Sequence, residues 1–79
     1  MPATTTTVEE AVTEALVSFG AEPDEVSREA TFEALDIDSL DLAEMAQIVE
    51  EKFGVALNSN DVKHIGNVGD LVDLVVARA

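Results

Sequence analysis

The sequence predicts an all-α domain: a small four-helix bundle with a long loop between the first and second helices and a short third helix. Three observations predict it. Apolar residues recur at three- and four-residue spacing in separate stretches, which places them on one face of a helix. Gly20, Gly54 and Gly66-Asn67 punctuate those stretches. Finally, a chain of 79 residues without cysteine has no disulfides to lean on, so a compact helical core is its economical source of stability.

Residues 1–6 read as a flexible lead-in. Thr7 and Glu10 have capping-box spacing and predict a helix start at Thr7. Val8, Ala11, Val12, Ala15, Leu16 and Phe19 then form one apolar stripe, and Gly20 offers a left-handed stop. Periodicity fades from Ala21 to Asp38, where Pro23-Asp24-Glu25 reads as a turn. That stretch is predicted to be an ordered loop anchored by Val26, Phe32 and Leu35, with a helical turn near Thr31 to Leu35. The second helix is predicted over Ser39 to Phe53, with Leu42, Met45, Val49 and Phe53 facing the core and Gly54 ending it. Several N-cap candidates lie among Asn58, Ser59, Asn60 and Asp61, before a short helix through Ile65. The last helix runs from Val68 to about Arg78, burying Val68, Leu71, Val72 and Val75. The whole chain, 1–79, reads as one domain.

Charge excludes several functions. Seventeen acids stand against Arg28, Lys52, Lys63 and Arg78, a formal net charge of -13, which disfavours nucleic acid and anionic membranes and favours basic protein surfaces. Cysteine nucleophiles and thiolate metal sites are absent. The N-terminus has no basic segment followed by an apolar run and no lipidation signal, so a cytoplasmic protein is expected. Asp36, Asp38 and Asp41 lack the spacing of a dedicated calcium loop, and no metal site is predicted. Gly66 and Gly69 lack the downstream lysine of a phosphate loop. His64, the single histidine, suits the end of the third helix.

The most distinctive stretch is Leu35-Asp36-Ile37-Asp38-Ser39-Leu40-Asp41-Leu42. On local physics Asp38 or Ser39 is an N-cap. Ser39 has no neighbouring base to activate it, so it reads as an anchor and not as a catalyst. The same position suits a phosphate, because helix-terminal N–H groups and the helix dipole favour negative charge there, while Asp38 and Asp41 oppose it.

Asp38-Ser39-Leu40, with Leu35 before it and Asp41, Glu44 and an acidic helix after it, resembles the acyl carrier proteins. Val26 and Phe32 in the long loop, Glu50-Glu51-Lys52-Phe53-Gly54-Val55 and Val68-Gly69-Asp70 fall in the same order, so the resemblance spans nearly the whole chain. It implies 4'-phosphopantetheine on Ser39, transferred from coenzyme A by a phosphopantetheinyl transferase, and acyl groups carried as thioesters on its thiol. The chain would be a carrier and not an enzyme. The resemblance further implies a recognition face of Asp38, Leu40, Asp41, Glu44, Glu50 and Glu51, which would meet basic patches on an acyltransferase, a ketosynthase and other synthase enzymes. Phe32, Met45, Val49 and Ile65 are candidates for lining an acyl pocket. A monomer with weak, short-lived contacts suits a shuttle.

Two departures carry expectations. Asp36 stands where the family commonly has Gly, which a loop needing no positive backbone angle would accept. Leu57-Asn58-Ser59 replaces an Ile-Pro-acid pattern, predicting a less rigid and less negative connection to the third helix and a lean toward polyketide or specialised metabolism over fatty acid synthesis. With its own Met1 the chain reads as a freestanding carrier of a dissociated synthase. A peptidyl or aminoacyl carrier is the nearest alternative. An unmodified acidic helical adaptor binding a basic partner is the rival of a different class.

Overall fold

In a computed structural model, residues 4–79 are described, and they form four helices: α1 (Thr5–Ser18), α2 (Ser39–Phe53), α3 (Ser59–Lys63) and α4 (Val68–Arg78). A single 3-10 turn, Pro23–Glu25, sits in the long α1–α2 connection. α1 packs against both α4 and α2. The core joins Val8, Val12 and Leu16 of α1 to Met45 and Val49 of α2 and to Leu71, Val72 and Val75 of α4, all of them at most 1% exposed. Among the described residues no polar or charged side chain is buried, so burial of apolar area is the principal cohesive force.

α1 begins earlier than the Thr7–Glu10 spacing predicts. Thr4 is the N-cap, its Oγ1 accepting from the Thr7 N–H at 3.2 Å, and Thr5 and Thr6 of the expected lead-in are helical. Residues 1–3 of that lead-in lie outside the described residues. The physical reason is Val8, which is fully buried: starting the helix at Thr5 encloses Val8 in a complete turn, with its N–H on the Thr4 carbonyl at 2.9 Å. At the other end Ala21 N–H bonds to Leu16 O and Gly20 N–H to Val17 O, both at 3.0 Å, a Schellman closure for which Gly20 takes φ 110°.

The long connection is held by its own apolar anchors and by α4. Phe32, Leu35 and Ile37 are buried in the core, and Val26 packs against it. The carbonyls of Ala30 and Arg28 accept from the first amides of α4, Val68 at 3.0 Å and Gly69 at 2.9 Å, groups that a helix start otherwise leaves unsatisfied. Thr31 and Asn67 form an isolated antiparallel bridge beside them. Arg28 then spans the joint, with its guanidinium 2.8 Å from Asp73 and 3.8 Å from Glu9.

α2 occupies the predicted residues, from the Asp38 cap to Gly54 at φ 70°. α3 is shorter than predicted and ends at Lys63. The N–H groups of His64 and Ile65 bond to Asp61 O and Val62 O across three residues, and this tightening turns Ile65 into the core. His64 Nδ1 donates to the Asn60 carbonyl at 2.8 Å, the capping role its position suggests.

Candidate functional site

The site begins two turns upstream of Ser39. Thr31 Oγ1 accepts from the Ala34 N–H at 3.1 Å, and Leu35 N–H bonds to Thr31 O at 3.2 Å, so the predicted helical turn exists. It closes with Ile37 N–H on Phe32 O at 2.9 Å and Asp36 N–H on Glu33 O at 3.1 Å. That pairing is a Schellman closure, and it requires a left-handed residue at Asp36. Asp36 has φ 59°, which corrects the expectation of a loop needing no positive angle. Aspartate accepts this conformation better than most residues, because its short polar side chain can hydrogen-bond locally. Leu35 and Ile37, buried on either side, pin the stem that delivers the chain to α2.

Ser39 is the first residue of α2 and its side chain is exposed. Asp38 is the N-cap, and with Asp41 it forms a reciprocal capping box. Asp38 Oδ1 accepts from the Asp41 N–H at 2.9 Å, and Asp41 Oδ2 accepts from the Asp38 N–H at 3.4 Å. Both carboxylates thereby turn toward backbone amides beside the serine. The N–H groups of Ser39 and Leu40 have no protein acceptor among the described residues and remain available to an anion.

A cleft of about 430 Å³ borders Ser39, lined by Ala43 and Ala46 of α2, Leu57, Asn58 and Ser59 of the connection, and Val62 and Lys63 of α3. Ala43, Ala46 and Val62 are not among the residues expected from the sequence, and Leu57 is expected only as part of the Leu57-Asn58-Ser59 connection, not as a lining residue. The available signal was spacing: Ser39, Ala43 and Ala46 stand at i, i+4 and i+7, so small side chains leave a groove along the serine's own face of α2. The pocket candidates Phe32, Met45, Val49 and Ile65 come together in the core, and none of the four lines this cleft.

The recognition candidates divide. Leu40 is 69% exposed and shares one side of α2 with Glu44 and Glu51, at i+4 and i+11. Glu50 lies in line with Ser39, Ala43 and Ala46. Asp41 is half-buried in its capping box, whereas Asp38, Glu44, Glu50 and Glu51 are exposed.

α3 has a different surface chemistry. Asn58 and Asp61 form a second capping box at 2.8 and 3.0 Å. Asp61 also receives Arg78 bidentately, at 2.6 and 2.7 Å. The Arg78 guanidinium first, and the Asn58 amide after it, hold the Asp61 carboxyl down to about 2. The acid of α3 is thus consumed internally. Among the described residues no group of three or more His, Asp or Glu side chains is arranged to hold a metal ion.

An exposed hydroxyl at a helix start, with free amides behind it and a cleft beside it, is the geometry that a carrier domain requires of a serine bearing a prosthetic arm. The family described as "Phosphopantetheine attachment site" matches residues 10–75. The chain is 41% identical over 70 residues to the acyl carrier protein of Nitratidesulfovibrio vulgaris, covering 86% of this chain and 92% of that one. It is 36% identical over 61 residues to that of Chlamydia muridarum, covering 76% and 79%. With the acyl carrier protein of Zymomonas mobilis the identity is 41% over 58 residues, covering 72% and 74%. The chain belongs to the acyl carrier protein family. Its cofactor is 4'-phosphopantetheine, and its role is that of a carrier serving a phosphopantetheinyl transferase and synthase-type enzymes, not that of an enzyme.

Proposed function

We propose that Ser39 is the attachment point of the phosphopantetheine arm, and that residues 1–79 act as a single acyl carrier domain. The observation that carries this reading is the placement of Ser39: exposed, at the first position of α2, with unpartnered amides and a cleft on its own helix face. When bound, the arm supplies a thiol that holds acyl groups as thioesters. The work of the chain is positional. Buried Leu35 and Ile37 fix the stem, the Asp38–Asp41 box fixes the helix start, and the Ser39 and Leu40 N–H groups are placed to donate to a phosphate's oxygens.

Acyl cargo would enter the cleft by Ala43, Ala46, Leu57 and Val62, and would reach Met45, Val49, Ile65 and Phe32 only by parting α3 from α2. Partners would dock on Leu40 and on the acids Asp38, Asp41, Glu44, Glu50 and Glu51 through basic patches, giving fast encounter without tight binding. We assign the chain to polyketide or specialised-metabolite synthesis before fatty acid synthesis. The support is the Leu57-Asn58-Ser59 connection and an α3 whose one acid, Asp61, is paired with Arg78, so that of the two helices beside the cleft only α2 presents unpaired acids. A monomeric, cytoplasmic carrier fits this role; no helix among the described residues is long and apolar enough to cross a membrane.

Intact mass after incubation with coenzyme A, magnesium and a broad-specificity phosphopantetheinyl transferase tests the site, with Ser39→Ala alongside. One added phosphopantetheine on wild type alone is the expected result. No addition to folded wild type, or addition to Ser39→Ala, overturns it, and the first outcome favours the unmodified adaptor.

A further inference from the structure

The cleft beside Ser39 is out of character with the rest of the surface. Seventeen acids are spread over 79 residues, yet none lines it, and its one charged lining residue is Lys63. Four other surface clefts each carry at least two carboxylates. Two of the remaining three cations are occupied: Arg28 pairs with Glu9 and Asp73, and Arg78 with Asp61. The third, Lys52, borders clefts that contain Glu10, Glu14 and Glu51. Lys63 makes no ion pair among the described residues. A cation facing a carboxylate-free cleft beside the modified hydroxyl is placed to meet an anion that arrives with the modification.

We propose that Lys63 is a docking cation for an anionic group on the arm tethered to Ser39, holding the arm over the cleft between α2 and α3. The inference rests on Ser39 being the attachment point. Two anions have the required chemistry: the phosphodiester that joins the arm to Ser39, and the free carboxylate of a dicarboxylic acyl cargo. Asn58 and Ser59 supply polar groups along the same rim, and Ala43, Ala46, Leu57 and Val62 supply an apolar floor for the arm's uncharged stretches. The attraction acts between exposed groups, so it fades with added salt as the screening length shrinks from about 8 Å at physiological ionic strength to about 3 Å at 1 M. Lys63 is a positioning residue: it selects where the arm rests, not whether it is attached.

The chain has two lysines, so selective lysine ¹³C labelling gives two side-chain signals, with Lys52 as internal reference. Spectra of the apo, phosphopantetheinylated, acetyl-loaded and malonyl-loaded protein are compared, after intact mass has verified each form. A Lys63 Cε shift on phosphopantetheinylation, absent at Lys52 and abolished by 1 M salt, supports the phosphodiester. The ³¹P signal should then move in Lys63→Gln and return in Lys63→Arg. A Lys63 shift that appears with malonyl but not with acetyl loading supports the cargo carboxylate. A correct added mass with no Lys63 shift in any form, or with equal shifts at both lysines, overturns this inference alone. No added mass on wild type overturns it together with the attachment reading.

Discussion

The carbonyl oxygen of Arg28 accepts from the Gly69 amide at 2.9 Å, closing the long loop onto the start of α4. A Cβ at Gly69 would stand 3.0 Å from that oxygen and 3.3 Å from the Arg28 Cβ. The glycine is therefore a packing requirement of the joint, and neighbouring Val68 and Ala30 tie the same backbone at 3.0 Å, leaving the loop little room to retreat. Gly69→Ala should destabilise the fold by about 1 kcal/mol, because overpacking costs more than the helix propensity gained in a first turn. A fall in Tm of roughly 4–8 °C is expected for a domain of this size; an unchanged or higher Tm would show that the loop yields freely.

Asp36 is held left-handed at φ 59° by the Schellman closure ahead of Ser39. Asp36→Gly should stabilise by about 0.5 kcal/mol, the relief of a positive angle outweighing the added freedom of the unfolded chain. Asp36→Ala should destabilise, since alanine has neither glycine's freedom nor aspartate's local hydrogen bonding. Urea midpoints in the order Gly, Asp, Ala are expected, with Asp36→Asn separating the backbone effect from the loss of charge. Ala at or above Asp in that series would contradict the backbone argument.

The Asp61–Arg78 pair fastens α3 to α4. Arg78 and the Asn58 amide stabilise the ionised carboxylate and depress its folded value to about 2. A depressed folded value means that this contribution is complete above the unfolded carboxylate value, near 4, and is lost as pH falls toward 2. Wild type should therefore exceed Arg78→Ala in stability by a constant margin above about pH 5, and the margin should shrink below pH 4. Titration of the Asp61 carboxyl carbon by NMR checks the cause directly: its midpoint should rise in Arg78→Ala.

Leu40 is 69% exposed and takes no part in the core, so Leu40→Ala should leave stability within about 0.5 kcal/mol of wild type. If it inserts into a partner's pocket, kcat/KM for phosphopantetheinylation should fall about tenfold, the loss expected of an interface anchor. Glu44→Lys should lower the same ratio chiefly at low salt, where steering by charge is unscreened. Equal rates for wild type and both variants would place the recognition face elsewhere.

Much of this architecture is legible in order along the chain. The bounds of α2 follow from Asp38 and Gly54, and the buried stripe of α4 from Val68, Leu71, Val72 and Val75. These are short-range matters: a capping oxygen reaches an amide three residues away, and a helical stripe repeats within one turn. Where several residues offer the same local bond, the pattern is ambiguous. Four consecutive threonines can each cap α1, and burial of Val8 selects Thr4.

Neighbouring residues are enough to specify an acidic four-helix chain with an exposable serine at the head of its second helix, because caps, stripes and charge are local properties. The packed fold is needed to set Asp36 left-handed, to seat Arg28 on Gly69, to bring Arg78 onto Asp61 and to place Ser39 beside a cleft containing Lys63. Each of these joins groups from different elements, or a backbone angle set by buried anchors on both sides. Such contacts depend on how the core closes, and no local spacing encodes them.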